Sequence, residues 1–167
     1  DTMMSGTKQL QADLFTEIKS RIKEKDESVP VFDNGYYYYR RTDEGKQYYK
    51  YCRKKGSLDA PEEILLDADA MAEGSGYFAA AGFSISPDNK MMAFGIDKVS
   101  RRQYTIYIKN LETGEILKDE IKGTGGNAVW GNDNKTIFYT SNNQETLLSE
   151  KIKKHIIGTN ASADAPV

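Results

Sequence analysis

Few residues in this chain could do covalent chemistry, and none stands in a pattern that would activate it. His155 is the sole histidine, so it is the sole imidazole that could serve a nucleophile as general base. It sits in Lys153-Lys154-His155, a run that reads as a strand end, and an ordinary strand or loop role fits it. A hydrolase serine on a strand-to-helix elbow would read Gly-x-Ser-x-Gly. The nearest fragments are Gly82-Phe83-Ser84-Ile85-Ser86 and Glu73-Gly74-Ser75-Gly76-Tyr77, and neither fits. Without a positioned base, no serine here is expected to be activated. Cys52 is the only cysteine. It can make neither an internal disulfide nor, by itself, a thiolate metal site, and a small packed strand residue is its expected role. No catalytic residue is therefore assigned in the chain, no substrate-binding residue can be named, and no cofactor is implied.

The remaining polar clusters point to structure rather than chemistry. Asp67-Ala68-Asp69 alternates two carboxylates but lacks the other positions of a calcium loop, so no metal site is expected. Asp88 and Asp133 open turns, where such side chains cap local backbone N–H groups. Asn160-Ala161-Ser162 matches a glycosylation sequon, which matters only in a eukaryotic secretory setting. The tyrosines at 36–39, 48, 49 and 51 lie among Arg40, Arg41, Lys46, Lys50, Arg53, Lys54 and Lys55. Aromatic strands edged by cations can stack nucleic-acid bases. The whole chain, however, has a formal net charge of −2 and a pI near 5.6, which argues against nucleic acid or an anionic membrane as partner. Tyrosines with buried rings and hydrated hydroxyls are the expected reading.

The elements that hold these residues change character near Pro30. Leu10, Leu14, Ile18 and Ile22 recur every four residues, with Phe15 widening the stripe, and predict a helix over 10–22. Ser5 or Thr7 could supply its N-cap, and Lys23 and Lys25 suit its last turn. Its apolar stripe could pack on the strands that follow or dock on another domain. Val29-Pro30 ends the helical option. Beyond it, Asp33-Asn34-Gly35 is a tight-turn signal between β-forming runs, and strands are predicted over 36–39, 47–53, 63–66, 77–80, 104–108 and 147–157. The expected organisation is a helical segment over 1–27 and a β domain over 28–167.

Two stretches align without gaps. Phe83-Ser84-Ile85-Ser86-Pro87-Asp88-Asn89-Lys90-Met91-Met92-Ala93-Phe94 sits over Ala128-Val129-Trp130-Gly131-Asn132-Asp133-Asn134-Lys135-Thr136-Ile137-Phe138-Tyr139, an offset of 45 residues. Each reads as apolar strand, Asp-Asn-Lys turn, apolar strand. Asp33-Asn34-Gly35 with its tyrosine strand is a looser third copy. The residues over 108–115 correspond to those over 153–159, slipped by one. A period near 45 with about four short strands per unit is that of a β-propeller blade. One blade has two faces to cover and covers them with its neighbours, so blades come in rings of at least about four. The fold class is thus mainly β: about two to three blades of a partial β-propeller, preceded by an α-helix.

Several stretches resemble the prolyl oligopeptidase family, and within it the oligopeptidase B (protease II) branch. They run from Leu10-Gln11-Ala12-Asp13-Leu14-Phe15-Thr16-Glu17-Ile18 through Arg21-Ile22-Lys23-Glu24, Ser28-Val29-Pro30, Gly35-Tyr36-Tyr37-Tyr38-Tyr39, Glu44-Gly45-Lys46-Gln47-Tyr48 and Tyr51-Cys52-Arg53. Ala60-Pro61-Glu62-Glu63-Ile64-Leu65-Leu66-Asp67, Ser86-Pro87-Asp88 and Leu111-Glu112-Thr113-Gly114-Glu115 complete them. The resemblance implies a seven-bladed propeller that gates peptide access to a C-terminal α/β-hydrolase domain with a Ser-Asp-His triad. It also implies cleavage of short peptides after Lys or Arg. None of the triad falls on this chain, so the chain alone is expected to be inactive. The alternative is a free-standing propeller-type scaffold with more blades and no hydrolase. Open blade edges invite self-association. No apolar run approaches the roughly 20 residues of a membrane span, and no signal peptide is visible, so a cytoplasmic or periplasmic location is expected. The chain opens at Asp1, which fits a removed leader or a start inside a longer chain.

Overall fold

The computed structural model describes residues 2–167, without the side chains of Thr2, Met3 and Ser5. A 3-10 segment, Thr2–Thr7, leads into α1, Lys8–Ser20. Thr7 takes the N-cap position, but its hydroxyl donates to the Met4 carbonyl (2.8 Å) and accepts from Gln11 (2.7 Å) instead of capping a backbone N–H. The other expected cap, the Ser5 side chain, lies outside the described residues. The helix ends earlier than its stripe suggests: Arg21 is the C-cap and Lys19 the basic residue of the last turn. Lys23 and Lys25 therefore lie beyond the helix, and Lys23 pairs with Asp26 at 2.9 Å.

Beyond Pro30 the regular structure is almost entirely antiparallel strand. β1 (Val31–Asp33), β2 (Tyr36–Arg41), β3 (Lys50–Lys55) and β4 (Glu62–Asp67) form a four-stranded sheet in chain order. A short helix, α2 (Ala68–Ala72), follows. Then β5 (Ala79–Ile85), β6 (Met91–Asp97), β7 (Tyr104–Asn110), β8 (Ile116–Trp130), β9 (Thr136–Asn142), β10 (Ser149–Ile156) and β11 (Ala165–Pro166) run as a second meander. β8 serves two units. Its first part pairs with β7, from Lys109↔Ile116 to Tyr104↔Thr124, and its last residues pair with β9, at Ala128↔Tyr139, Val129↔Phe138 and Trp130↔Ile137. The strands thus fall into three four-stranded blades of a partial β-propeller: β1–β4, β5 to early β8, and late β8 to β11.

Strand alternation explains why the blades stack. In β6, Met92, Phe94 and Ile96 point one way and are buried with Leu65, Leu66, Ala68 and Phe78 against the first blade. Ala93 points the other way and is buried with Ile106, Ile108, Ile121, Ala128, Trp130, Ile137 and Tyr139 against the third. A strand covered on both faces needs apolar residues at successive positions, which the run Met91-Met92-Ala93-Phe94 supplies. Polar bonds stitch the same seams. Trp130 Nε1 donates to the Ser84 carbonyl at 2.9 Å, and Lys109 Nζ to the Leu65 carbonyl at 2.8 Å.

The repeated turns come together in space. Asn34 has φ 41° and Gly35 φ 85°, the left-handed pair that a two-residue hairpin favours. At the other two turns a single asparagine is left-handed, Asn89 (φ 62°) and Asn134 (φ 57°). Asp88 and Asp133 cap the N–H groups of Lys90 (3.2 Å) and Lys135 (3.0 Å). Asn34 Nδ2 donates to the Pro87 carbonyl (2.9 Å), Asn89 Nδ2 to the Asn34 carbonyl (3.1 Å), and the Asp88 N–H to Asn134 Oδ1 (2.9 Å). Consecutive blades therefore touch through the very residues that repeat. The one-residue slip is real as well: Ala93 pairs with Ile108, but Phe138 pairs with Lys154.

Several boundaries differ from expectation. β3 starts at Lys50, not near 47, because the N–H groups of Gln47 and Tyr48 turn to the Asp69 carboxylate (3.1 and 3.4 Å). The strand expected over 77–80 is β5, Ala79–Ile85. The early part of β8 and the whole of α2 lie where no element was expected. Asp67 caps α2 by accepting from the Ala70 N–H at 3.1 Å.

Candidate functional site

The residues most able to react are tied into the scaffold. His155 lies on β10 with its side chain fully buried. Its Nε2 is 2.9 Å from Asp119 Oδ1, and its Nδ1 is 2.9 and 3.1 Å from the two oxygens of Asp164. Both ring nitrogens are thereby engaged, and neither is left for a serine. Ser86 donates to Asp88 Oδ1 (2.6 Å) and accepts from the Met91 N–H (2.9 Å), closing its own turn. Asp119 and Asp164 are residues that sequence reasoning missed. They stand 36 and 9 positions from His155, and no short motif links the three.

Cys52 is 1% exposed on β3, and burial, reinforced by the nearby Glu62 charge, pushes its thiol up to about 12. The thiolate is the nucleophile, so at pH 8 only about one molecule in ten thousand carries it. Iodoacetamide at pH 8 is expected to leave Cys52 unlabelled in the folded protein and to label it fully in denaturant. Labelling at equal rates in both states would contradict this burial.

A charged layer covers the face of the first blade that turns away from the second. Arg41 grips both oxygens of Glu62 (Nη2–Oε1 2.8 Å, Nε–Oε2 3.1 Å) and also meets Asp43. Lys50 bridges Asp43 (2.7 Å) and Asp67 (3.4 Å). Tyr39 donates its hydroxyl to Glu62 Oε2 at 2.5 Å. The Arg41 guanidinium holds the Glu62 carboxyl down at about 2. A lowered folded-state pKa means stability present above the unfolded value near 4.5 and lost as the pH falls toward 2. Glu62→Gln is therefore expected to flatten the acid limb of a stability–pH curve between about pH 5 and 2, with little change in that curve's slope above pH 6. An unchanged acid limb would show that the pair does not couple to folding. The tyrosine hairpin engages its own cations: the Arg53 guanidinium lies 4.1 Å over the Tyr36 ring and that of Arg40 4.5 Å over Tyr49.

Apolar surface remains uncovered on α1 and on the third blade. No residue of α1 is buried, and its stripe of Leu10, Leu14, Phe15 and Ile18, with Ile22 just beyond the helix, is 47–69% exposed. The stripe does not pack on the blades. The outward face of the third blade carries Val129, Ile152 and Ile156, all exposed. In register, that face repeats the face of the second blade that the third one buries. Asp67 and Asp69 both accept from backbone N–H groups, and among the described residues no cluster of three His, Cys, Asp or Glu side chains could hold a metal. Among the described residues no helix is long and apolar enough to cross a membrane.

Comparison with known proteins decides what these blades are part of. The family model described as the prolyl oligopeptidase N-terminal β-propeller domain matches residues 1–167. The chain belongs to the prolyl oligopeptidase family. Among its relatives, dipeptidyl aminopeptidase BI of Pseudoxanthomonas mexicana is 39% identical over 182 residues, covering 100% of this chain and 25% of that protein. Protease 2 of Moraxella lacunata is 29% identical over 158 residues, covering 90% of this chain and 23% of that protein. Oligopeptidase B from Leishmania major superposes with a TM-score of 0.91 at 31% identity, over 99% of this chain and 24% of its own. The closed form of Trypanosoma brucei oligopeptidase B with covalently bound antipain gives 0.87 at 27%, over 98% of this chain and 23% of its own. The chain thus spans about a quarter of the length of the relatives it matches. The match falls on the N-terminal propeller of the prolyl oligopeptidase family, which agrees with the fold class read from the 45-residue repeat.

Proposed function

We propose that this chain is the leading helix and first three blades of a serine peptidase that hydrolyses short peptides after lysine or arginine. In this reading residues 1–27 form a docking segment and 28–167 part of the propeller. The blades act as structural and substrate-gating module, and a C-terminal α/β-hydrolase domain supplies the Ser-Asp-His triad. The observation that carries the reading is the likeness to oligopeptidase B along 99% of the chain, joined to an imidazole here that is wholly occupied by Asp119 and Asp164. The uncovered stripe of α1 suits docking on the hydrolase domain, since an apolar helix face left in water favours association.

A second reading has a specific observation behind it. The relative at 39% identity is named a dipeptidyl aminopeptidase, so the parent would instead release dipeptides from free N-termini. Peptides with one internal arginine, offered with free and acetylated N-termini to the intact peptidase, separate the two by mass spectrometry of the products. Equal cleavage after arginine in both forms supports the endopeptidase. Dipeptide release that acetylation abolishes supports the second reading, and cleavage at neither place overturns both.

The 167-residue chain on its own is expected to self-associate through the exposed third-blade face and open strand edges. Light scattering of that chain should show mass rising with concentration. A constant monomer mass over a hundredfold range would contradict the open-face assignment.

A further inference from the structure

β11 pairs with β10 at Lys153↔Pro166 and Lys154↔Ala165, and the Val167 N–H donates to the Ile152 carbonyl at 3.0 Å. The segment leading to it is held by a buried polar cluster. Asp164, just before β11, accepts from Tyr139 on β9 (2.9 Å) and faces His155 Nδ1 on β10 (2.9 Å). Asp119 on β8 faces His155 Nε2 (2.9 Å) and accepts from the Gly158 N–H (2.6 Å). The side chains of His155, Asp119 and Asp164 are 0%, 5% and 4% exposed. One imidazole therefore links the terminal segment to the outer strand of the second blade and to the whole third blade.

The proton count makes this link conditional. A neutral imidazole has one N–H and one lone pair, so between two carboxylates it turns the lone pair toward one of them. The imidazolium donates to both. We propose that Asp119, His155 and Asp164 form a proton-dependent latch that fastens residues 157–166, and with them β11, onto the third blade. The latch is closed when His155 carries both protons and both carboxylates are ionised. It loosens as the pH rises and His155 loses one donor, and again as the pH falls and a carboxylate is neutralised. The charged and titratable neighbours are Asp119 from β8, Tyr139 from β9, Asp164 from the terminal segment and Lys153, two residues away on the same face of β10. Glu120 and Lys122 line the adjoining cavity of about 350 Å³ beside Tyr139 and Lys153.

Hydrogen exchange of the intact protein, followed by mass spectrometry at pH 5, 7 and 9 and corrected for intrinsic rates, tests the latch. Protection of peptides covering 157–167 is expected to change by roughly tenfold across this range, the equivalent of one charge-assisted bond. Peptides from β6 should keep their protection, which separates local release from general unfolding. In His155→Gln, protection of 157–167 should be low and independent of pH. A pH-flat wild-type profile overturns the latch even if the variant does not fold. Retention of the wild-type profile in a folded His155→Gln protein overturns it as well.

Discussion

Gly82→Ala is expected to cost at least about 3 kcal/mol and to melt the second and third blades together, because the chain crosses between them at that point. The link at 123–126, inside β8, carries the chain from the outer strand of one blade to the inner strand of the next. It passes directly over β5 and β6. A Cβ built on Gly82 would sit 1.9 Å from the Gly126 carbonyl oxygen, and one built on Gly95 would sit 2.6 Å from Gly126 Cα. Both obstacles are backbone, which cannot turn aside as a side chain can. Gly82 also has φ +66°, where an L-residue is strained by about 1–2 kcal/mol. Gly74→Ala is the control: φ is +73°, but nothing lies within 4 Å of its added Cβ, so only the strain of about 1–2 kcal/mol remains. Chemical denaturation of both variants checks the difference. Equal destabilisation would mean that the crossing does not need glycine.

Phe94→Ala is expected to cost about 3–5 kcal/mol, the range for emptying a large aromatic site in a packed core. Phe94 is fully buried on β6, facing the first blade. Its ring centroid lies 6.5 Å from Phe83 and 6.0 Å from Tyr107, and Phe83 in turn stacks on Tyr51 at 3.8 Å. That aromatic row runs from the first blade into the second, so a void in its middle separates two sheets rather than denting one. Phe15→Ala makes the contrast. Phe15 is 69% exposed on α1, so its removal should move the stability of the isolated blades by less than about 0.5 kcal/mol. Urea unfolding of the two variants measures both. A Phe94→Ala loss below about 1 kcal/mol would show that the aromatic row is not what joins the blades.

What could be read from the sequence was whatever depends on local pattern. The Asp-Asn-Lys turns repeat because each needs a carboxylate cap and an asparagine at positive φ, and both needs act within five residues. The helix was legible from its stripe, but not its early end, because Ile22 continues the spacing after the helix has stopped. The early part of β8 was illegible for a physical reason. Its buried positions include Asp119 and Thr124, whose side chains meet His155 and the Tyr104 carbonyl 36 and 20 positions away, and Gly126, and these break the apolar alternation that marks a strand. His155 was hidden in the same way: Lys153 and Lys154 make its run look solvated, while Asp119 and Asp164 meet it only once three strands are in place.

Covalent labelling of the intact peptidase with a fluorophosphonate, followed by mapping of the adduct, asks most directly whether these residues carry the chemistry. The adduct is expected on a serine outside residues 1–167, with loss of peptide hydrolysis and no label on any serine within them. A stoichiometric adduct on a serine between residues 1 and 167, accompanied by loss of activity, would place the nucleophile in the blades and contradict their role as scaffold and gate.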